Sequence, residues 1–279
     1  MTHHLFCFGL GYTASHLARD LLAAGWRVSG TRRAPEADSV DGIRLHAFDG
    51  SAEIKLPDDV SHVLLSIPPD EAGDPAARIM ADALRRLPGL HWLGYLSTTG
   101  VYGDKGGAWV DEDSPPAPTT PRGQRRALAE RQWLDLYRRR GLPVHVFRLA
   151  GIYGPGRNQL ESLKRGEARR VIKPGQVFSR IHVDDIVQVL MASMRRPHPG
   201  RLYNVCDDEA APPETVMDYA AALLGLPPPP TVSADDPSLS EMAKSFYAEN
   251  KRVRNDRIKS ELGVRLLYPT YREGLKALL

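Results

Sequence analysis

Cysteine is nearly missing from this chain of 279 residues, with Cys7 and Cys206 each set in an apolar stretch. That excludes a disulfide-stapled scaffold and a multi-cysteine metal centre, and it predicts two buried thiols in a reducing, cytoplasmic setting with no bound metal. No apolar run reaches the ~18 residues of a membrane helix, and no secretory leader is expected before the first strand, so a membrane partner is not expected. Lysine is scarce, 8 residues against 29 arginines, and the net charge is only +3. Charges of both signs are interspersed. Arg138-Arg139-Arg140 and Arg169-Arg170 read as helix ends or solvated faces, and the absence of a basic stripe excludes a nucleic-acid partner. There is no internal repeat, and low complexity is confined to Pro227–Pro230, a rigid connector.

What is present begins at Leu5-Phe6-Cys7-Phe8, an apolar run of the length and β-favouring content of a buried parallel strand. Gly9-Leu10-Gly11-Tyr12-Thr13-Ala14 follows as a G-x-G-x-x-A loop. Ala14, Leu17, Ala18, Leu21 and Leu22 then recur at helical spacing up to Gly25, and Arg27–Thr31 reads as a second strand. Such a loop inside a strand-loop-helix-strand unit points to a dinucleotide site. Gly9 permits the tight turn, Gly11 lets the backbone approach a pyrophosphate, and Ala14 lets helix and strand pack closely. The amides around Tyr12 and Thr13, at the positive end of the helix, face the phosphates.

An NAD site usually carries Asp or Glu at the end of the second strand to bind the ribose 2′-hydroxyl. Here Thr31, Arg32 and Arg33 stand there, and the first carboxylate is Glu36. A guanidinium forks onto a 2′-phosphate, which an acid would repel, so NADP is expected in preference to NAD. The bland alternative is a pair of solvated arginines.

Further strands are predicted at Ile43–Asp49, His62–Ile67, His91–Ser97, Pro143–Arg148 and Leu202–Val205, with helices at Pro75–Leu87 and Gly123–Arg140 and a helix begun by Arg180–Asp185. The segment from Lys105 to Pro121 reads as a polar loop, and Leu239–Leu279 as a tail of mixed helix. Asp49 either reaches the adenine amino group or caps a turn. Ser66 and Pro68 follow the fourth strand, whose carboxyl end points at the ligand crevice of an open α/β sheet. The repeated βαβ order predicts a doubly wound parallel sheet.

Four further motifs then occur in order: Ser97-Thr98-Thr99-Gly100-Val101-Tyr102-Gly103; Arg148 through Tyr153-Gly154-Pro155-Gly156; His182-Val183-Asp184-Asp185-Ile186; and Tyr203-Asn204-Val205. With the glycine loop they resemble the extended short-chain dehydrogenase/reductases, the NAD(P)-dependent epimerase/dehydratase group. The resemblance implies an α/β Rossmann domain over 1–157 plus 180–206. A small C-terminal α/β substrate domain is implied over 158–179 and 207–279. It also suggests a homodimer through Pro75–Leu87 and Gly123–Arg140, where Leu128, Leu134 and Leu136 either supply apolar contact or pack on the sheet.

Two departures matter. The glycine spacing is shorter than the family's G-x-x-G-x-x-G. The family's Y-x-x-x-K pair is missing, for aligning Glu130 with the Glu that follows the pair puts Arg122 at the Tyr position and Arg126 at the Lys position. Arginine, always protonated, cannot exchange a proton near neutral pH. Arg126 can still bind ribose hydroxyls, a phosphate or a carboxylate, or face water. Tyr247-Ala248-Glu249-Asn250-Lys251 matches the pattern by chance in the tail, although Tyr247 and Arg252 are placed by the resemblance at the border of a substrate pocket.

This combination looks like the atypical members of the superfamily. It implies an oxidoreductase or epimerase/dehydratase-like enzyme with non-standard catalytic residues, acting on a small polar or sugar-derived molecule. The alternative is a catalytically silent NADP-binding sensor or scaffold. Thr98 is either a substrate-binding hydroxyl or a strand-end turn residue. Tyr153 and His182 are the proton-donor candidates, each with a structural reading beside it. Asp184 and Asp185 are expected to cap their helix.

Overall fold

The computed structural model describes residues 3–279. The chain divides into two compact units, one of Met1–Thr98, Gln124–Arg148 and Val187–Tyr203, the other of Thr99–Gly123, Leu149–Ile186 and Asn204–Leu279.

The first unit is organised by an eight-stranded sheet. Its strands are β1 (His4–Phe8), β2 (Arg27–Arg32), β3 (Ser39–Val40), β4 (Ile43–Ala47), β5 (His62–Leu65), β6 (Trp92–Thr98), β7 (Val144–Leu149) and β8 (Leu202–Val205). They lie in the order β8-β7-β6-β5-β1-β2-β4-β3. The β1–β2, β1–β5, β2–β4 and β5–β6 pairs are parallel, and only the short edge strand β3 runs antiparallel, against β4. On β8, Val146 and Ala150 donate to the carbonyls of Arg201 and Val205, equal offsets that set a parallel register. Order reverses between β1 and β5, which makes their carboxyl ends the switch point where ligands bind in such sheets.

Helix α1 (Tyr12–Ala23) forms where the apolar spacing predicts it, with Ala14, Leu17, Ala18 and Leu21 buried. It stops at Gly25, in the left-handed region at φ +79, and Trp26 N–H closes onto the Leu21 carbonyl. Such a stop needs no side-chain cap. The helix expected over Pro75–Leu87 is two, α2 (Pro75–Ile79) and α3 (Ala81–Arg86), parted at Met80. The Met80 side chain is in the core with Phe6, Phe8, Val63, Leu65, Tyr95 and Trp133. Leu134 and Leu136 of α4 (Pro121–Arg140) pack against that same core.

The second unit is built from short paired segments. Trp109–Val110 pairs with Arg252–Val253, Gly151–Tyr153 with Arg180–His182, and Arg170–Ile172 with Thr231–Ser233. None of these pairs is foreseeable from periodicity, because two or three residues carry no alternation. The polar loop therefore holds a strand, and Arg180–His182 is strand rather than helix. The helix begins at Val183 and runs to Arg195. Asp185 does not cap it: its carboxylate accepts the Leu267 and Tyr268 amides at 2.7 and 3.0 Å, tying down the chain after Leu266. Residues 99–123 and 149–157 cluster with this unit, not with the sheet as the sequence suggests. The amides of Lys105 and Gly107, which donate to the Asn250 carbonyl, show why.

Candidate nucleotide site and the residues around it

The loop after β1 is held from below. Gly9 has φ +88, and a Cβ there would lie 2.8 Å from Ile67 Cγ2 and 3.1 Å from Ile67 N. Only glycine fits. Its amide donates to Thr31 Oγ1 at 2.8 Å, and the Leu10 amide donates to the Thr31 carbonyl. Thr31, expected among the cofactor contacts, is buried, and its hydroxyl holds the loop from beneath.

Gly11 differs. A Cβ built on it meets nothing nearer than Ser66 Oγ at 3.9 Å. Packing does not demand glycine there, whereas close approach of the loop backbone to a pyrophosphate would. Gly11 is the N-cap of α1 with extended backbone, no side chain caps the first turn, and no acid stands in it. The amides of Tyr12 and Thr13 therefore stand at the positive end of the helix, with no acidic side chain in its first turn. Ala14 is fully buried beneath them, as close helix–strand packing requires. These residues fit a dinucleotide pyrophosphate.

Arg32 and Arg33 are exposed at the end of β2, and neither has an ion-pair partner among the described residues. Asp49 is exposed, but its Oδ1 accepts the Ser51 amide at 2.9 Å and the Ser51 hydroxyl at 2.6 Å. Those bonds hold its carboxyl below the usual range and make it a turn cap. Ser66 is half-buried beside Gly11, and Pro68 is exposed.

At the carboxyl end of β6, Ser97 is buried and Thr98 half-buried. Ser97 Oγ donates to Glu130 Oε1 at 2.6 Å, and Arg148 Nη2 donates to Glu130 Oε2 at 2.8 Å, with Arg148 Nε at 3.1 Å from Oε1. This closed network of one helix and two strands fixes α4 on the sheet. Arg126, one helical turn before Glu130, donates through Nη1 to the Leu96 carbonyl. Its charge is thereby held at the strand end beside Thr98, where the motif alignment places the family's lysine. Periodicity could not have disclosed the Ser97–Glu130–Arg148 network, since its bonded pairs lie 18 and 33 residues apart.

In the second unit, Tyr153 and His182 are brought together, their rings edge to face at 5.1 Å. Both are buried. A Cβ on Gly274 would lie 2.0 Å from the Tyr153 hydroxyl, and Tyr268 packs on His182 at 4.2 Å. His182 Nδ1 accepts the Asp184 amide at 3.2 Å. Burial drives the Tyr153 hydroxyl far above its ordinary pKa. The phenol is packed against a glycine backbone and the histidine joins a strand to a helix, which places both proton-donor candidates in the interior of this unit. Both cysteines are buried, as foreseen, and burial raises both thiols.

One family accounts for the sheet order, the glycine loop and the ordered motifs, and it matches residues 9–206. The chain belongs to the NAD dependent epimerase/dehydratase family. It is 27% identical to Protein YeeZ of Escherichia coli, over 94% of each chain. It is 29% identical to the 3-diazoavenalumate denitrifying reductase of a Streptomyces species, over 95% of this chain and 91% of that one. Among solved structures, a functionally unknown conserved protein from Silicibacter pomeroyi is 54% identical with a TM-score of 0.90, covering 99% and 98% of the two chains. The dTDP-glucose 4,6-dehydratase of Bacillus anthracis, solved with NAD, superposes with a TM-score of 0.79 at 16% identity, over 100% of this chain and 95% of that one, and shows the shared fold. Matched on Glu130, Arg122 and Arg126 occupy the positions of the family's tyrosine–lysine pair. No helix among the described residues is long and apolar enough to cross a membrane, and no cluster among them suits a metal.

Proposed function

We propose that this chain is an NADP-dependent oxidoreductase acting on a small polar substrate, with the proton supplied by water. The observation that carries the reading is the pair Arg32 and Arg33, exposed at the end of β2 with no acid in the position that NAD sites use. Gly9, Gly11, Tyr12, Thr13 and Ala14 would hold the pyrophosphate, Arg32 and Arg33 the 2′-phosphate, and Arg126 the ribose nearest the reacting centre. A reduced nicotinamide, when bound, supplies hydride. Thr98, beside Arg126, donates its hydroxyl to the substrate.

Epimerases and dehydratases need a side chain that takes and returns protons, and a guanidinium does neither at neutral pH. Net reduction makes no such demand, and the reductase among the relatives supports it. Arginine at both positions also favours a second reading, a silent NADP-binding sensor.

The test is a fluorescence titration of the purified chain with NADPH and NADH, repeated on Arg32→Ala. NADPH affinity should fall about tenfold or more in the variant, as expected for a lost charge-assisted fork, with NADH affinity unchanged. Equal loss for both nucleotides, or none for either, overturns the cofactor assignment. NADPH binding without turnover on a panel of carbonyl and other reducible substrates selects the sensor.

A further inference from the structure

The loop that precedes α2 is fastened to α4 rather than left at the surface. Gln132 of α4 accepts the Asp74 amide through Oε1 at 2.8 Å and donates through Nε2 to the Ala72 carbonyl at 2.7 Å. Gly73 stands between those two residues at φ +99, and a Cβ on it would lie 2.0 Å from Gln132 Oε1. Clamped in this way, Asp74 is fully buried.

Its Oδ1 caps α2, accepting the Ala76 amide at 2.8 Å and the Ala77 amide at 3.4 Å. Asparagine caps a helix equally well and carries no charge. A buried carboxylate is strongly destabilising unless a counter-charge faces it, so capping alone does not account for an acid here. The cation that acts on Asp74 is Arg126. Glu130, one turn further along α4, is committed to Ser97 and Arg148. Tyr95 converges on the same guanidinium. Its ring lies in the core, where phenylalanine would fill the same space, yet its hydroxyl is buried and completes no hydrogen bond, as is Asp74 Oδ2. The charges of Arg126 and Asp74 both act on that hydroxyl. Two polar groups that packing does not require thus surround one cation, whose Nη1 donates to the Leu96 carbonyl of β6. All of these residues belong to the first unit.

We propose that Asp74 and Tyr95 are positioning residues for Arg126, holding its guanidinium at the carboxyl end of β6, where it meets the nicotinamide ribose. That role rests on the NADP reading above, in which Arg126 binds this ribose. A guanidinium is planar and donates in a fixed fork, so its orientation decides whether it reaches the ligand.

Calorimetric titrations of the full chain with NADPH and with 2′,5′-ADP test the assignment. The second ligand keeps the adenosine and its 2′-phosphate and lacks the nicotinamide half. Asp74→Asn keeps the cap and the volume and removes the charge; NADPH affinity should fall about fivefold or more while 2′,5′-ADP affinity stays within about twofold. Tyr95→Phe should act in the same direction on NADPH alone, by about threefold. In an Arg126→Gln background Asp74→Asn should lower NADPH affinity no further, whereas a general loosening of the fold would add its own loss. Unchanged NADPH affinity in Asp74→Asn, equal losses for the two ligands, or additive effects of Asp74→Asn and Arg126→Gln overturn the proposal. If Asp74→Asn does not fold, Tyr95→Phe decides by the same criteria. NADPH that binds the parent chain and the variants alike sinks this inference alone, and a parent chain that binds neither ligand sinks the cofactor reading with it.

Discussion

At the scale of single residues, Glu130 and Arg148 carry the largest local stake. Both side chains are 3% exposed, and their pairing is completed by the Ser97 hydroxyl. A buried pair of this kind contributes little over an apolar substitute, but breaking it strands a charge in the core. Glu130→Ala should therefore cost about 3–5 kcal/mol, whereas Glu130→Leu combined with Arg148→Met should cost far less. Urea denaturation of the two variants checks this, and equal losses would refute the stranded-charge account. Sequence reasoning located Glu130 through its motif but could not show what it binds, because its partners are set by strand order. It also placed Thr31 among the cofactor ligands. The fold turned that hydroxyl inward, onto the Gly9 amide, a choice made by the β1–β2 register.

The strand-loop-helix element that opens the chain is the most legible part of the molecule. Its apolar strand, glycine loop and helical spacing are all local signals, and the structure follows them. Two variants separate the glycine that packing requires from the one proposed to meet the pyrophosphate. Gly9→Ala forces a Cβ into Ile67 at positive φ and should destabilise the fold by about 1–3 kcal/mol. Gly11→Ala has room, so its stability should change by less than about 1 kcal/mol while NADPH affinity drops. Thermal melts and nucleotide titrations of both variants decide the matter, and a Gly11→Ala that binds NADPH like the parent chain would remove the pyrophosphate from this loop. Elements of two or three residues behave oppositely. Trp109–Val110 and Arg170–Ile172 exist only because a distant segment offers a ladder, so they leave no period in the sequence.

For the whole molecule, the buried histidines of the sheet contribute a loss of stability in acid. Burial pushes His62 on β5 and His145 on β7 down to about 4, and His4 and His46 are lowered in the same sense. The Trp92 ring lies stacked over His145 at 5.8 Å and near His62 at 6.3 Å. Their ordinary value is 6.5, so between pH 6.5 and about 4 the unfolded chain takes up protons that the folded chain refuses. Stability should fall as the pH drops through that window, by up to about 1.4 kcal/mol per pH unit for each histidine, and level off below it. Urea midpoints between pH 7.5 and 4.5 measure the slope, and His62→Gln with His145→Gln should flatten it. A slope unchanged in the double variant would assign the acid response to carboxylates instead.

The sequence by itself determined the α/β class, the family, the glycine loop, the two buried cysteines and the loss of the tyrosine–lysine pair. These are properties of local period, residue type and motif order, and they survive without any knowledge of what lies across the fold. The tertiary structure alone decided that Tyr153 and His182 are interior residues, that Asp185 ties down residues 267–268, that Thr31 supports the loop, and that Gln132 fastens Asp74 to α4. Each of those outcomes depends on contacts between residues far apart in the chain, and no local pattern encodes the direction in which a side chain finally points.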